Sequence, residues 1–223
     1  MFHRQAPDDR PALELAYTAL RPQRAQRAQS SGLRSAAENQ ALPGERLPPR
    51  IKLVSAADLT WLPALADLLI DSVHQGASLG FIAPMSRYAA LDYWHGVFAR
   101  LGPRHHLWIA CEDSERSQLL GCVQLALCQQ PSASHRAEVL GLMVHSRSRG
   151  LGLASKLMSR LECTALQQGR RLLVLDTPTG SQAEAVYAHL GWQRAGEVPE
   201  CDSSADGLLH GTSRYYKRLQ MPS

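Results

Sequence analysis

The segment Arg147-Ser148-Arg149-Gly150-Leu151-Gly152 constrains the fold of this chain more than any other stretch of its sequence. It follows an apolar run from Val139 to Val144 and precedes an amphipathic helix pattern. Glycines at a strand-to-helix joint let the backbone approach a ligand closely, and the first N–H groups of the helix then point outward. Because the helix dipole adds partial positive charge at that end, the sequence predicts a phosphate-binding turn between a strand and a helix.

The chain divides into an N-terminal extension and one folded domain. Its 223 residues, 44% hydrophobic and 20% charged, are enough for a sizeable core. Residues 1–50 contain eight arginines and five acidic residues, and hence most of the net charge of +4. Prolines at 43, 48 and 49 interrupt any long helix there. We predict a disordered extension over 1–50, either an interaction arm or a dispensable tail, and a folded domain over 51–220.

Composition also argues against several classes of protein. The near-neutral domain argues against a nucleic-acid partner, and no apolar run approaches the roughly 20 residues of a membrane span. The five cysteines are odd in number and lack a C-x-x-C pair, and the nine histidines lack metal-ligand spacing. We therefore expect no disulfide framework, no metal site, no membrane association and a reducing, cytoplasmic location.

Hydrophobic periodicity predicts a mixed α/β domain. Its central mixed sheet would have about six to seven strands flanked by helices, with one βαβ unit from Glu138 to Asp176. The predicted strands are 51–54, 107–112, 119–128, 138–144, 172–175, 192–196 and 214–219, and the predicted helices are 55–73 (from a capping-box-like start at Ser55 and Asp58), 86–101, 150–168 and 183–190.

Two other phosphate-binding motifs compete for the glycine turn. Gly150-Leu151-Gly152 begins the G-x-G of a dinucleotide-binding fold, and Asp176 lies near where its ribose-binding acid belongs. However, Ser155 stands where that fingerprint requires glycine, and antiparallel strands precede the single βαβ unit. A P-loop fails as well, because no glycine precedes Lys156 at the required spacing.

The spacing Arg-x-x-Gly-x-Gly from Arg147 to Gly152 resembles the pyrophosphate-binding signature of the Gcn5-related N-acetyltransferases, the GNAT superfamily. A second segment, Ala185-Val186-Tyr187-Ala188-His189-Leu190-Gly191-Trp192, resembles the family's later motif, in which a tyrosine-bearing helix precedes Leu-Gly-aromatic and a strand. The resemblance covers about residues 51–220. It implies an N-acetyltransferase that uses acetyl-coenzyme A (acetyl-CoA).

The resemblance also implies where acetyl-CoA binds. Two central parallel strands should splay apart, so that backbone near the end of the first strand can pair with the pantetheine arm. The expected cofactor-binding residues are Leu142, Met143, Val144, Arg147, Ser148, Arg149, Gly150, Leu151, Gly152, Leu153, Ala154, Ser155 and Ser181.

A narrower resemblance concerns the acceptor. The segment from Ser72 to Phe81 is similar to the loop after the first helix in tabtoxin-resistance acetyltransferases, as are segments 125–129, 136–139, 173–177 and 206–210. This implies a small amine or amino-acid-like acceptor, such as a tabtoxin-type β-lactam. The expected acceptor-binding residues are His74, Ser78 and Phe81.

Three residues are the candidates for catalysis. Glu138 begins the strand that leads to the glycine turn, and Asp176 ends the neighbouring parallel strand, so either could be the general base. Tyr187 is the candidate general acid for the leaving thiolate. No Cys/His pair favours a covalent acyl-enzyme, so we expect direct transfer.

Two further functions and a dimer stay open at this point. A protein N-terminal or lysine acetyltransferase would need an open groove, whereas a non-catalytic acyl-CoA sensor would bind the cofactor without turnover. The partners we expect are a small-molecule amine and a second copy of the chain in a homodimer.

Overall fold

The computed structural model describes residues 48–77, 79–112, 118–204 and 207–220. Within these ranges the chain forms seven strands and four α-helices. They are β1 (Arg50–Val54), α1 (Leu62–His74), α2 (Arg87–Arg100), β2 (His105–Cys111), β3 (Leu119–Leu127), β4 (Arg136–Val144), α3 (Leu153–Gln167), β5 (Leu172–Pro178), α4 (Gln182–His189), β6 (Gln193–Ser203) and β7 (Leu209–Arg218). The extension predicted over residues 1–50 lies almost wholly outside the described residues and stays a prediction.

The strands form one seven-stranded sheet in the order β1-β2-β3-β4-β5-β7-β6. Every neighbouring pair is antiparallel except β4 and β5, which are parallel and joined through α3. The predicted mixed α/β sheet with a single βαβ unit is therefore confirmed. The pairing of β4 with β5 ends at Glu138 and Val174, and beyond that point the two strands diverge.

A bulge bends β4 where it leaves β5. In the β3–β4 ladder, Cys122 pairs with Met143 and Gln124 pairs with Leu140, so Val123 lies opposite two residues of β4. One of the two is Gly141, whose φ is +53°. A Cβ on Gly141 would lie 2.9 Å from the Gln124 Nε2 atom, so both the backbone and the space require glycine. Bulges increase local twist, which helps to open β4 away from β5.

The sheet is covered on both faces. Helices α1 and α2 cover one face through an apolar cluster that includes Leu65, Leu69 and Trp94. Helices α3 and α4 cover the other face, where Leu157, Leu161 and other apolar residues are buried. Burying a side chain of this size contributes about 1.5–3 kcal/mol, so these two clusters hold the helices on the sheet. No helix within the described ranges is both long and apolar enough to cross a membrane.

Helices α1 and α3 begin later than the sequence predicts. The Asp58 carboxylate accepts hydrogen bonds from the Ser55 N–H and hydroxyl, both at 2.8 Å, but these close a turn rather than cap a helix, and α1 begins at Leu62. Helix α3 begins at Leu153 rather than Gly150, because Gly150 and Gly152 have φ values of +77° and +69°, which a right-handed helix does not accommodate.

The last two strands are longer than predicted. The sequence predicts 192–196 and 214–219, whereas β6 covers Gln193–Ser203 and β7 covers Leu209–Arg218. Strand β6 lies at the edge of the sheet, and nearly all of its residues are exposed. It therefore lacks the alternating apolar pattern from which strands are recognised.

Candidate active site

A cleft of about 880 Å³ lies where β4 and β5 separate. The three candidate catalytic residues, Glu138, Asp176 and Tyr187, all line it. The turn between β4 and α3 lines the same cleft. The fold thus brings the predicted phosphate-binding turn and the predicted catalytic residues to one opening.

The turn presents backbone rather than side chains to the cleft. The positions that a Cβ of Gly150 or Gly152 would occupy have no atom within 4 Å, so the backbone faces open space there. The first backbone bond of α3 runs from the Lys156 N–H to the Gly152 carbonyl, and no side chain caps the helix. The N–H groups of Leu153, Ala154 and Ser155 therefore have no helical acceptor, as an anion-binding helix end requires.

Helix α1 fixes the start of this turn. Asp71 accepts hydrogen bonds from the Ser146 N–H at 2.9 Å and the Ser146 hydroxyl at 2.8 Å. The His145 Nδ1 atom lies 3.6 Å from the same carboxylate. Burial alone would raise the pKa of Asp71, but the two bonds from Ser146 and the charges of His145 and Arg149 outweigh it and lower the pKa. The carboxylate therefore stays ionised and holds the turn against α1.

Glu138 lies at the fork between the diverging strands. It belongs to the last residue pair of the β4–β5 ladder, and its side chain is exposed. Its neighbours Ala137 and Val139 are buried in the cluster beneath α3, so Glu138 projects from the face that carries α1 and α2. This side chain is accessible from the cleft and is free to approach an acceptor.

Asp176 lies on β5 two residues beyond the end of the β4–β5 ladder, and its carboxylate is bonded by an arginine side chain. Arg214 lies directly opposite it on β7 and donates two hydrogen bonds to its carboxylate, from Nε at 2.8 Å and from Nη2 at 2.7 Å. These bonds and the charge of Asp176 raise the pKa of Arg214, and the charge of Glu138 adds to the rise. The two carboxylates and the guanidinium therefore form one electrostatic group at the cleft.

Tyr187 lies on the opposite wall and is 7% exposed. Its ring centroid lies 6.0 Å from that of Trp192 and 6.1 Å from that of Tyr215. Burial raises the pKa of Tyr187 to about 12, so the phenol keeps its proton at neutral pH. Among the described residues no hydrogen-bond partner for this hydroxyl is found, which leaves it available to a ligand in the cleft.

The predicted cofactor-binding residues divide into two groups. Those that line the cleft are Leu142, Met143, Val144, Ser148, Arg149, Gly150, Gly152, Leu153, Ala154 and Ser181. Arg147, Leu151 and Ser155 belong to the same turn but lie outside the cleft lining. The Arg149 side chain donates from Nε to the Val144 carbonyl at 3.4 Å, and the Ser181 hydroxyl lies 3.2 Å from that of Thr177.

The three predicted acceptor-binding residues occupy different surroundings. The His74 Nε2 atom accepts a hydrogen bond from the Met85 N–H at 3.2 Å, which ties the end of α1 to the loop before α2. The Phe81 ring packs edge-on against Tyr93, with centroids 5.3 Å apart. Ser78 lies outside the described residues. The loop reaches the cleft mainly through neighbouring positions 75–77, 79 and 80.

Sequence reasoning missed the residues on the α2 side of the cleft. Tyr93, Arg100 and Gln124 all line it, and the Gln124 side chain bonds to both Tyr93 and His105. One signal was readable, because Gln124 interrupts an otherwise apolar strand from Leu119 to Leu127. Within the described residues no group of three or more potential metal ligands occurs.

Comparison with known proteins identifies the family. The model of the acetyltransferase (GNAT) family matches residues 64–192, more than half of the chain. Three solved structures share the fold at low identity. An acetyltransferase candidate from Salmonella typhimurium, solved with acetyl-CoA, is 18% identical, covers 78% of this chain and 96% of its own, and has a TM-score of 0.60.

The other two have different named acceptors. A candidate phosphinothricin N-acetyltransferase is 16% identical over 77% of this chain and 100% of its own, with a TM-score of 0.63. A ribosomal-protein-alanine N-acetyltransferase from Brucella melitensis is 19% identical over 76% and 99%, with a TM-score of 0.59. At these identities the likeness concerns the fold alone. Together with the match of the family model, the open glycine turn and the diverging parallel strands, it shows that this chain belongs to the GNAT acetyltransferase family.

Proposed function

We propose that this protein is an acetyl-CoA-dependent N-acetyltransferase that transfers the acetyl group directly to a small, amino-acid-like amine. The observation that carries the proposal is the separation of β4 from β5 between Glu138 and the glycine turn. Six residues of extended strand span roughly 20 Å, so a carboxylate lies at one end of an open strand edge and a phosphate-binding turn at the other.

The residues of the turn fit the pyrophosphate of acetyl-CoA. The unpaired N–H groups at Leu153, Ala154 and Ser155 and the dipole of the 15-residue helix α3 favour an anion there. Arg149, which lines the cleft, adds positive charge. The edge of β4 after Glu138 has no β5 partner and so offers backbone groups to an amide-bearing arm. When bound, acetyl-CoA supplies the activated acetyl group.

Glu138 is the proposed general base. An amine reaches the cleft mostly as an ammonium ion, and it must lose a proton before its nitrogen lone pair can attack the acetyl carbonyl carbon. An exposed carboxylate at the fork, without a cation bonded to it among the described residues, can attract that ammonium and accept the proton directly or through water. Asp176 is less suited to this role, because Arg214 already occupies both of its oxygens.

Tyr187 is proposed to assist the leaving group. As the new C–N bond forms, the C–S bond breaks and its electron pair passes to sulfur. The Tyr187 hydroxyl is protonated, has no hydrogen-bond partner among the described residues, and can donate a hydrogen bond to that sulfur. With a pKa of about 12, the phenol is a weaker acid than an ordinary thiol, whose pKa is about 8.5. We therefore assign it stabilisation of the thiolate, with the proton on the product thiol supplied from solvent or from Glu138.

The buried thiol nearest the bulge favours direct transfer. The Cys122 Sγ donates to the Gly141 carbonyl at 3.7 Å, and complete burial raises the pKa of this thiol. A thiol that stays protonated is a poor nucleophile, so Cys122 does not form an acyl-enzyme. The sequence resemblance to tabtoxin-resistance enzymes, and the structural likeness to a candidate phosphinothricin N-acetyltransferase, support a small acceptor with an amino-acid framework.

The test is release of free thiol from acetyl-CoA across a panel of amines. The panel contains the common L-amino acids, phosphinothricin, a tabtoxin-type β-lactam, simple alkylamines and peptides with free N-terminal or lysine amines, and mass spectrometry identifies each product. Turnover of a small amine, abolished in Glu138→Gln, supports the proposal. Turnover of peptides alone would favour a protein acetyltransferase, and tight acetyl-CoA binding without any turnover would favour a sensor.

A further inference from the structure

We propose that Tyr93 and Arg100 form a carboxylate-binding subsite for the acceptor, so that this enzyme selects amines bearing a carboxylate near the reacting nitrogen. The inference rests on the proposed function and names the part of the acceptor that the cleft recognises. It is carried by hydrogen bonds that link two buried side chains, His105 and Gln124, to the half-buried Tyr93, whose hydroxyl proton is left for a ligand in the cleft.

The series of hydrogen bonds begins at His105, a residue of β2 that is 8% exposed. Its Nε2 atom lies 3.0 Å from the Oε1 atom of Gln124, which is itself 1% exposed. An amide oxygen only accepts, so His105 must carry its proton on Nε2 and donate it. Burial lowers the pKa of His105, the bond to Gln124 opposes that change and Arg100 adds to it, so the neutral ring prevails at pH 7.

Gln124 then donates from Nε2 to the Tyr93 hydroxyl oxygen at 2.9 Å. Because this bond occupies one lone pair of the phenol oxygen, the phenol's own hydrogen is directed elsewhere. No acceptor for it is found among the described residues, and Tyr93 lines the cleft. Burial raises the pKa of Tyr93, although the bond from Gln124 and the charge of Arg100 oppose the rise, so the hydroxyl remains a donor. The two hydrogen bonds, from His105 to Gln124 and from Gln124 to Tyr93, therefore orient the Tyr93 O–H toward a ligand in the cleft.

Arg100 adds a positive charge to the same place. It lies seven residues after Tyr93 on α2, which is two helical turns and the same face. Its Nη1 atom lies 3.7 Å from where a Cβ of Gly96 would be, so the guanidinium extends back along the helix toward Tyr93. No ion pair of Arg100 is found in the part of the chain that the structure describes. A guanidinium that forms no ion pair within the described ranges, close to a directed hydroxyl, suits a carboxylate.

The opposite charge lies a short distance away. Gln124 pairs with Leu140, and Glu138 lies two residues before Leu140 on the same face of β4. The Cα atoms of Glu138 and Leu140 are therefore roughly 7 Å apart. The cleft is thus polarised, with Glu138 at one end and Tyr93 with Arg100 at the other. An α-amino acid carries its ammonium and its carboxylate on the same carbon atom. It can therefore place the ammonium at Glu138 and the carboxylate at the α2 side.

The experiment compares three acceptors that differ at one group. They are the best L-amino acid of the panel, its carboxamide and its decarboxylated amine. In the wild type we expect the amino acid to be used at least tenfold better than the decarboxylated amine, through KM. Tyr93→Phe should raise KM for the amino acid and the carboxamide roughly 10- to 100-fold and leave the decarboxylated amine unchanged, since a hydrogen bond to an acceptor oxygen is lost.

Arg100→Gln provides a second and independent variant. Its side chain is exposed, so folding should be unaffected, and KM should rise for the amino acid but not for the uncharged carboxamide. Matched controls lie on the same helix outside the cleft lining: Tyr88→Phe, at a residue that is 74% exposed, and Arg87→Gln, which loses only a surface pair with Asp67. Neither control should alter acceptor preference, and thermal unfolding checks that all four variants fold.

The outcomes separate the subsite from the proposed function. Wild-type turnover with no preference for the carboxylate overturns the subsite alone, as does an equal fall in kcat for all three acceptors in Tyr93→Phe. Absence of thiol release with every amine overturns the proposed function, and the subsite with it. A loss confined to the oxygen-bearing acceptors in Tyr93→Phe, and to the charged acceptor in Arg100→Gln, supports the subsite.

Discussion

The two sides of the cleft differ in the groups that line them, which are mostly backbone groups on one side and side chains on the other. The side that runs from β4 into α3 is mostly backbone: an unpaired strand edge, two glycines with positive φ and the free N–H groups of a helix end. The side beneath α2 is made of side chains, Tyr93, Arg100, Gln124 and Glu138, which come from a helix and two strands. A backbone site depends on conformation, whereas a side-chain site depends on the identity of each residue.

This difference explains how the two sides should respond to substitution. On the backbone side, most side chains can vary while the glycines cannot. On the side-chain side, isosteric changes that leave the fold intact should remove function one group at a time. The different acceptors named for the two neighbours, phosphinothricin and a ribosomal-protein alanine, are consistent with this division, since only the second side needs to change when the acceptor changes.

The largest effect is expected from Glu138→Gln. Loss of the proposed general base should lower kcat about 100- to 10,000-fold, while the dissociation constant of acetyl-CoA should stay unchanged because the proposed cofactor contacts lie at the other end of β4. Steady-state kinetics and calorimetric titration with acetyl-CoA measure the two quantities. Asp176→Asn is the matched control, and its effect should be at most about tenfold because Arg214 already neutralises that carboxylate. A larger loss in Asp176→Asn than in Glu138→Gln would exchange the two roles.

Gly152→Val tests the backbone side. A β-branched residue at a φ of +69° is strained, and relief of that strain must move the N–H groups at the start of α3. We expect acetyl-CoA affinity to fall about 10- to 100-fold, which is the loss of one charge-assisted hydrogen bond or slightly more. Gly169→Val carries the same strain at a φ of +73°, just after the C-terminal end of α3 and outside the cleft. Gly169→Val should lower the free energy of unfolding by a similar amount and leave the affinity for acetyl-CoA unchanged. Equal losses of acetyl-CoA affinity in the two variants would contradict the assignment of the cofactor site to the backbone at Gly152.

The contrast between the two sides also accounts for what the sequence could predict. Gly150 and Gly152 act within a few residues of each other, so their spacing after Val139–Val144 was enough to predict the turn, although not that α3 would begin only at Leu153. The hydrogen bond between Gln124 and Tyr93 joins residues that are 31 apart in the sequence, and the bond between Gln124 and His105 joins residues that are 19 apart. Both pairs come together only through the fold. The bond between Asp176 and Arg214 spans 38 residues and depends on β7, whose extent the sequence pattern understated. Local conformation was readable, and contacts made across the sheet were not.

A smaller effect is expected from Tyr187→Phe. Because the pKa of Tyr187 is about 12, the role we propose for its phenol is a hydrogen bond to the departing sulfur rather than full proton transfer. Its loss should lower kcat about tenfold and leave both substrate affinities unchanged. In the wild type, activity should show no alkaline decline attributable to this group below about pH 10, because its hydroxyl keeps its proton there. A 1,000-fold loss, or a decline that disappears in Tyr187→Phe, would instead assign it true acid catalysis.

The smallest effect concerns Asp71, which holds Ser146 against α1. Asp71→Ala should lower the free energy of unfolding by about 1 kcal/mol at pH 7, through loss of the bonds from Ser146. Asp67→Ala on the same helix breaks only an exposed pair with Arg87 and should cost close to nothing.

The pH dependence of this effect has a definite sign. Because the pKa of Asp71 is lowered in the folded protein, its contribution is fully present above the unfolded value of about 3.9 and is lost as pH falls through the folded pKa. The free energy of unfolding, measured with urea, should therefore be higher for the wild type than for Asp71→Ala at pH 7, and this difference should shrink as pH falls below about 3.9. A difference that persists unchanged at pH 3 would mean that Asp71 holds the turn by packing rather than by charge. The turn's position would then not depend on the ionisation of this residue of α1.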